Sequence, residues 1–252
     1  MSQLLQHEAP VEVAPSITES RSSAIFRTEP ISDREPVRVE NSLFERFAWL
    51  YAFFREKLFR DDTMRIIHAL WPTGEPPIPT RLIELGCGPG FYSCNLAARF
   101  PSMSVLGVDC SLRQLECAQK KARSLNLANC AFDTDNVLNL SHPDRSLDAL
   151  VAARLFTVLP DHELAMSEMY RILRPGGRCF IAEPRYAVWA SLPLLAMWLL
   201  AGLTGGNNGC REPRKAFVLS AESFEQLCAS QPWKAMKTWQ DGRYQYALCE
   251  KG

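Results

Sequence analysis

The stretch "LIELGCGPGF", residues 82–91, leads from four residues typical of a β-strand into three glycines on alternate positions. A simple turn needs one or two glycines, because few residues in a turn require unusual backbone angles. Gly86, Gly88 and Gly90 therefore indicate a backbone that a ligand approaches closely. Glycines between a strand and the next helix also let a ligand contact backbone N–H groups at the helix N-terminus.

Two known glycine-rich patterns do not fit this stretch. The dinucleotide motif G-x-G-x-x-G, counted from Gly86 and Gly88, needs its third glycine where Phe91 stands. A phenylalanine there argues against NAD or FAD, since that glycine permits tight helix–strand packing. A P-loop is excluded because no Gly-Lys-Ser/Thr follows. Two acidic residues accompany the glycines instead: Glu84 within the first strand, and Asp109 at the end of the next, where a carboxylate can accept both hydroxyls of a ribose.

The composition excludes several classes of protein. The 252 residues carry 28 basic and 28 acidic side chains and no basic run, so the electrostatic footprint of a nucleic-acid-binding protein is missing. Nine cysteines occur without a CxxC pair or a Cys-His cluster, which predicts reduced thiols, no metal site and a cytoplasmic protein. The first ten residues are too polar for a signal peptide.

The first 40 residues differ from the rest of the chain. They hold four prolines among many Ser, Glu and Arg residues, a mixture that cannot bury enough apolar surface to offset its ordering entropy. We predict a disordered tail over residues 1–40 and a single domain over residues 41–252. Residues 41–72 are predicted to form N-terminal cap helices, the first beginning with the capping-box spacing of Ser42 and Glu45.

From residue 81 onwards, short apolar strands alternate with helices. This pattern over residues 81–183 predicts a parallel sheet covered on both faces. Residues 216–252 are predicted to form a helix followed by a hairpin that turns near Asp241 and Gly242, which adds antiparallel strands.

An unusually apolar segment follows the last parallel strand. It contains "WASLPLLAMWLLAGL" and no charged residue between positions 186 and 209. A membrane-spanning helix needs roughly 20 apolar residues, whereas this core is shorter and contains Pro193. We predict a lid over residues 186–215 that folds over the site together with the N-terminal helix. A peripheral membrane contact is the weaker alternative.

Three motifs give the chain a resemblance to a known family over roughly residues 81–183. "LIELGCGPG" matches the first motif of the class I S-adenosylmethionine-dependent methyltransferases, "GVDCS" matches the second, and "FDTDNVLNL" resembles the third. The small-molecule enzymes of the ubiquinone/menaquinone type are the most similar subgroup. The resemblance implies an α/β fold with a doubly wound, Rossmann-like, seven-stranded sheet. It is mostly parallel, with an antiparallel C-terminal hairpin strand and a helical cap.

The resemblance also implies a cofactor, S-adenosylmethionine, which leaves as S-adenosylhomocysteine, and residues to hold it. Glu84 would supply negative charge near the amino-acid end, and Asp109 would bind the ribose. In the third motif an acidic residue and its neighbour bind the adenine. Asp135 and Asn136 match best, with Asp133 as a rival because the spacing departs by about one residue. The predicted cofactor-binding residues are Glu84, Gly86, Cys87, Gly88, Gly90, Asp109, Cys110, Asp135, Asn136 and Arg154.

The expected reaction is methyl transfer to a small, apolar or aromatic metabolite. Such an enzyme must hold a nucleophile in line with the methyl carbon and exclude water. A base is needed only when the nucleophile holds a proton, and Glu183, followed by Tyr51, is the leading polar candidate. The predicted substrate-binding residues are Phe47, Tyr51, Phe54 and Trp189, whose aromatic rings could line an apolar pocket.

Two alternatives to this activity stay open at the level of the sequence. One is a regulatory protein that binds the cofactor without methylating, and the other is an enzyme of the same fold with a non-methyl reaction. A nucleic-acid substrate is disfavoured, because "AARLF" stands where amino-methylating nucleic-acid enzymes carry an Asp/Asn-Pro-Pro-Tyr/Phe run. The acceptor atom and the oligomeric state are not encoded in any recognisable pattern.

Overall fold

The computed structural model describes residues 42–57, 59–204 and 216–252. The predicted tail over residues 1–40 lies outside the described residues, as does the end of the predicted lid, residues 205–215.

Seven strands form one sheet in the order β3-β2-β1-β4-β5-β7-β6. Strands β1 to β5 run parallel, whereas β7 pairs antiparallel with both β5 and β6. This confirms the predicted fold and the hairpin at Gly242. The strands are β1 (Arg81–Leu85), β2 (Ser104–Asp109), β3 (Cys130–Thr134), β4 (Leu147–Ala153), β5 (Leu173–Pro184), β6 (Trp233–Asp241) and β7 (Tyr244–Lys251).

Eight helices occur within the described residues. They are α1 (Leu43–Arg46), α2 (Ala48–Lys57), α3 (Thr63–Leu70), α4 (Phe91–Arg99), α5 (Leu112–Ser124), α6 (His162–Ile172), α7 (Ala187–Leu203) and α8 (Ala221–Cys228). Helices cover both faces of the sheet. Because alternate residues of a strand point to opposite sides, neighbouring residues of one strand pack in different cores. In β1, Ile83 packs in the core that contains Met169 of α6, and Leu82 packs in the core that contains Ile66 of α3.

The strand order reverses between β1 and β4, since the chain continues from β1 to β2 on one side and from β4 to β5 on the other. In an open α/β sheet, such a switch point leaves a crevice beyond the carboxyl ends of the strands. The fold therefore places the glycine-rich stretch after β1 beside this crevice.

The two segments outside the sheet pack against each other. Leu43 of α1 and Phe47 form one buried cluster with four residues of α7, Ala190, Leu194, Met197 and Ala201. The Ser42 side chain accepts hydrogen bonds from the backbone of Phe44 and Glu45, as expected for an N-cap. The predicted first helix is divided at Phe47, whose φ of −118° and ψ of 37° end α1 before α2 begins.

Helix α7 has 17 residues and contains Pro193. No helix among the described residues is long and apolar enough to cross a membrane.

Candidate active site

The glycine-rich loop between β1 and α4 adopts left-handed backbone conformations. The φ angles of Gly86, Gly88 and Gly90 are 64°, 51° and 73°, which favour glycine over residues with a side chain. At Gly90 a Cβ atom would lie 2.8 Å from both Ala118 Cβ and Phe132 Cζ. Gly90 therefore permits close packing of the loop on α5 and β3, whereas Gly86 and Gly88 line a cavity.

Glu84 ties the first strand to the helix that follows the loop. Its buried carboxylate accepts hydrogen bonds from the backbone N–H of Ser93, at 2.7 Å, and from the Ser93 hydroxyl. Burial raises the pKa of Glu84 to about 7. This contact holds the first turn of α4 against β1, so Glu84 shapes the loop from beneath. Ser93 was not predicted from the sequence, because the donors that reach a buried carboxylate are decided by packing.

Asp109 joins the end of β2 to the same loop. Its Oδ2 accepts a hydrogen bond from the Gly88 N–H at 2.9 Å, and its Oδ1 accepts one from the Ser111 N–H at 2.9 Å. Burial raises the pKa of this carboxyl group above its ordinary value. Asp109 thus fixes the position of Gly88, and both residues line the cavity.

The cavity has a volume of about 450 Å³ and lies beyond the carboxyl ends of β1, β2 and β4. It brings together seven of the residues predicted for the site: Tyr51, Gly86, Gly88, Asp109, Cys110, Asn136 and Arg154. Glu84 and Cys87 line a smaller space next to it, which Tyr51 and Arg154 also border. These seven predicted residues therefore lie together at one place in the fold.

The Asp135 carboxylate holds its own loop together instead of lining the cavity. It accepts hydrogen bonds from the backbone N–H groups of Asn136 and Ser141, at 2.8 Å and 3.1 Å, and contacts His142 Nδ1 at 3.2 Å. Its neighbour Asn136 does line the cavity. The rival Asp133 is exposed, at the end of β3. The adenine contact by Asp135 and Asn136 remains a prediction, with Asn136 the better placed of the two.

Glu183 is also engaged with the backbone. Its Oε1 accepts hydrogen bonds from Leu155 and Phe156 N–H, at 2.7 Å and 3.0 Å, and burial raises its pKa to about 7. The carboxylate therefore positions the loop after β4, and it is not among the described residues that line the cavity. This geometry gives Glu183 a structural role, and its use as a base remains a prediction.

Ionisation of Glu183 is expected to lower the free energy of unfolding as the pH rises. A carboxyl whose pKa rises from 4.5 to about 7 on folding keeps its proton longer in the folded state. Stability should therefore fall between about pH 4.5 and pH 7 and level off above that range. The Glu183→Gln variant keeps the oxygen that accepts both N–H bonds but cannot ionise. The difference in Tm, variant minus wild type, should therefore be larger at about pH 8 than at about pH 5. A difference in Tm that stays constant across this range would contradict the assignment.

Arg154 occupies a strained position at the end of β4. Its φ of 59° is left-handed, which costs a residue with a side chain of order 1–3 kcal/mol and is found preferentially at functional sites. The guanidinium carbon lies 3.8 Å from the centre of the Phe59 ring, and Nη1 donates to the Tyr244 hydroxyl at 3.2 Å. Its buried Nε has no partner in the described part of the chain.

The predicted substrate residues are placed differently from one another. Tyr51 lies in the cavity wall, whereas Phe47 is buried in the cluster between α1 and α7. Phe54 lines a second cavity of about 430 Å³, which also contacts Arg154. The side chain of Trp189 lies outside the described part of the structure.

Several wall residues were missed by the sequence analysis. Gln114 is 1% exposed, and its Nε2 donates to the Phe44 carbonyl at 3.5 Å, while its Oε1 has no partner among the described residues. Its position in the first turn of α5 could have indicated it, because that turn faces the same edge of the sheet. Most other missed residues are apolar: Phe44, Val137, Leu138, Leu155, Val158, Leu159, Pro160, Ala190, Pro193 and Leu194.

These residues fit the cofactor that the motifs imply. The cavity volume lies within the roughly 300–1,000 Å³ of typical small-molecule sites. A carboxylate, Asp109, stands at the strand end where a ribose is bound in doubly wound folds. A Cβ at Gly88 would lie 3.2 Å from Tyr51 Cε1, so glycine lets the Tyr51 ring pack close to the loop, and both residues line the cavity. The unpartnered oxygen of Gln114 offers a further acceptor to a polar ligand.

Comparison with known proteins also identifies methyltransferases as similar to this chain. Residues 82–177 match a family described as a methyltransferase domain. A demethylmenaquinone methyltransferase of Thermus thermophilus is 33% identical over 165 residues, which are 63% of this chain and 72% of the relative. A trans-aconitate 2-methyltransferase of Methylobacterium radiotolerans is 30% identical over 149 residues, 57% of this chain. The chain spans only 55% of that second relative's length.

A solved structure supports the fold. Phosphoethanolamine N-methyltransferase 2 of Haemonchus contortus, in complex with S-adenosylmethionine, is 13% identical and superposes with a TM-score of 0.61. The alignment covers 85% of this chain and 58% of that one. The matched domain begins at Leu82, in the strand that precedes the glycine loop, and it contains the cavity-wall residues from Gly86 to Pro160. On its sequence, its fold and its relatives, the chain belongs to the S-adenosylmethionine-dependent methyltransferases.

Proposed function

We propose that this protein transfers the methyl group of S-adenosylmethionine to a small, apolar or aromatic acceptor. The observation that supports this proposal is the apolar part of the cavity wall. Aromatic and aliphatic side chains from the N-terminal helices, the loop after β4 and α7 form it, among them Phe44, Leu155 and Leu194. Apolar walls with few polar groups are typical of sites for apolar ligands.

The two curated relatives differ sharply in the acceptors they are named for, a quinone and a polycarboxylate. A polycarboxylate requires several cationic side chains, because each buried carboxylate must be paired. Of the described residues that line the cavity, Arg154 alone carries a positive charge, and Asp109 carries a negative one. This balance favours an apolar acceptor.

The chain's own residues would bind the cofactor, orient the acceptor and exclude water from the site. Asp109 and Asn136 are assigned to the ribose and the adenine, and the glycine loop to the amino-acid end. When bound, the cofactor supplies an activated methyl group on a sulfonium. Helices α1, α2 and α7 cover the cavity, so we assign them the role of a lid that keeps water from the acceptor. We assign to Tyr51 and Arg154, which border both the cavity and the smaller space next to it, the role of orienting a hydroxyl or an oxyanion of the acceptor.

The test is a transfer assay with the purified full chain and S-adenosylmethionine labelled in the methyl group. The acceptors are substituted phenols, catechols and quinols, with di- and tricarboxylates as the contrasting set. We expect label in products of the aromatic set. Transfer to the carboxylates alone would overturn the proposed acceptor class, and cofactor binding without transfer to any acceptor from an untargeted metabolite extract would overturn the activity.

Replacing Tyr51 by alanine should impair use of the acceptor more than binding of the cofactor. Removing an aromatic wall contact worth about 1.4 kcal/mol lowers kcat/KM for the acceptor by about tenfold. The Kd for S-adenosylmethionine, measured by calorimetry, should change by no more than a few-fold. Phe53→Ala is the matched control, because this aromatic residue on the same helix is 53% exposed. Equal effects of the two substitutions on kcat/KM would argue against Tyr51 as a wall residue.

A further inference from the structure

Helix α7 has two apolar faces, one of which is buried and the other exposed to solvent. One face, with Ala190, Leu194, Met197 and Ala201, is buried against the N-terminal helices. The opposite face carries a second aliphatic row that is open to solvent. We call it the outer stripe, and it consists of Val188, Leu192, Leu195, Leu199 and Leu203, which are 72%, 38%, 47%, 68% and 77% exposed.

The outer stripe is a continuous feature of the helix. Its residues follow one another at intervals of four, three, four and four positions, which keeps them on one side of an α-helix. The helix contains no charged residue, so nothing interrupts the stripe. A monomeric protein rarely exposes a large contiguous apolar patch unless the patch meets a partner or a membrane. Covering the cavity requires only the buried face.

Positive charge surrounds the start of this helix. Arg185 directly precedes the N-cap Tyr186 and donates from Nη1 to the Gly242 carbonyl at 3.2 Å. Arg243, exposed in the same turn, lines the second cavity with Arg60 and Arg154, and no carboxylate occurs among the described residues lining that cavity. The nearby Asp241 is shared between Arg60, at 2.6 Å, and Arg65, at 2.5 Å. The buried Asp62 is likewise shared between these two arginines, at 3.1 Å from each. The four arginines at positions 60, 65, 185 and 243 thus outnumber these two acids.

We propose that the outer stripe and the adjoining arginines dock this protein on the surface of an anionic lipid bilayer. Aliphatic side chains would enter the boundary between headgroups and acyl chains, and the guanidinium groups would meet the lipid phosphates. A second copy of the chain would present the same positive rim, whereas an anionic bilayer presents the opposite charge. The occupant that the charges favour is therefore the membrane surface.

The second cavity borders both this surface and the wall of the site. Leu192 belongs to the outer stripe and also lines the second cavity, and Arg154 lines both cavities. A lipophilic acceptor dissolved in the bilayer would thus enter between Leu192 and Arg243. This route rests on the proposed acceptor class, whereas docking itself does not.

Vesicle co-sedimentation of the full chain tests the docking. Vesicles of phosphatidylcholine with an increasing fraction of phosphatidylglycerol are used, at low and at high salt. We expect the bound fraction to rise with phosphatidylglycerol and to fall with salt, because the surface attraction is screened. The Leu195→Glu/Leu199→Glu variant should partition about tenfold more weakly or worse, with unchanged Tm and cofactor affinity. Arg185→Gln/Arg243→Gln should lose most of the dependence on phosphatidylglycerol.

A matched variant controls for the added charge. Ile78→Glu/Leu125→Glu places the same two carboxylates on aliphatic residues that are 75% and 49% exposed. These positions precede β1 and follow α5, at the edge of the sheet where the parallel strands begin, away from α7. The control should bind vesicles like the wild type.

Three results would overturn the proposal. They are a wild-type protein that stays in the supernatant with every vesicle, a stripe variant that binds like the wild type, and a solution dimer that the stripe substitutions dissociate without any vesicle binding. The last result would assign the stripe to a second copy of the chain. None of these results depends on turnover, so a failure of docking is distinguishable from a failure of the proposed methyl transfer.

Discussion

Replacing Gly88 by valine is expected to abolish detectable binding of S-adenosylmethionine while the chain still folds. The residue has a φ of 51°, and a Cβ there would lie 3.2 Å from Tyr51 Cε1, at the cavity wall. A branched side chain at this point would press on Tyr51 and narrow the cavity that both residues line. The left-handed backbone adds a cost of about 1–3 kcal/mol to folding. Titration calorimetry should detect no binding, and circular dichroism should show a folded protein with a lowered Tm.

Gly176→Val separates strain from obstruction. Gly176 has a φ of 76°, and a Cβ there would meet nothing within 4 Å. This control should lose a similar amount of stability and bind the cofactor normally. Binding by Gly88→Val at close to the wild-type affinity would place the ligand elsewhere.

Replacing Asp109 by alanine should weaken S-adenosylmethionine binding strongly. The carboxylate is the acidic group of the cavity wall, and it also holds the Gly88 N–H at 2.9 Å. Losing hydrogen bonds to a charged acceptor costs roughly 1.5–3 kcal/mol, which is about a 10- to 150-fold loss of affinity. Release of the glycine loop would weaken cofactor binding further. The Kd from calorimetry, compared with that of the wild type, checks this expectation.

Asp133→Ala is the matched control, because it removes the same side chain from the end of the neighbouring strand β3, where it is exposed. Its affinity for the cofactor should stay within a few-fold of the wild type. If both variants lose affinity alike, Asp133 takes part in the site. The adenine-binding acidic residue of the third motif would then be Asp133 instead of Asp135.

The order of helices and strands was accessible from the sequence because it depends on local patterns. Apolar runs between turn signals predicted the alternating strands and helices over residues 81–183, where β1 to β5 lie. The glycine motif predicted left-handed backbone, since only glycine adopts it readily. The ends of parallel strands share one edge, so the sequence also brought Gly88, Asp109 and Arg154 to one cavity. Such features follow from periodicity and from the geometry of parallel sheets.

The partners of three carboxylates, at Glu45, Glu84 and Glu183, were decided only by the tertiary structure. Glu45, expected to serve its own helix cap, accepts a hydrogen bond from Arg113 N–H at 3.2 Å, at the start of α5. Glu84 bonds Ser93, and Glu183 bonds the backbone after β4. A buried carboxylate takes whichever donors packing brings within reach, and those donors lie far along the chain or on another element. Sequence spacing does not contain that information.

The sequence by itself determined that α7 would be apolar throughout, and it determined the residue types of the cofactor loop. Which side of α7 is buried was decided by the tertiary structure, through contacts with Leu43 and Phe47 more than 140 positions away. The physical reason is that a helix with apolar residues on all sides has no amphipathic pattern to orient it. Its orientation is set by the surface against which it packs, and that surface exists only once the chain has folded.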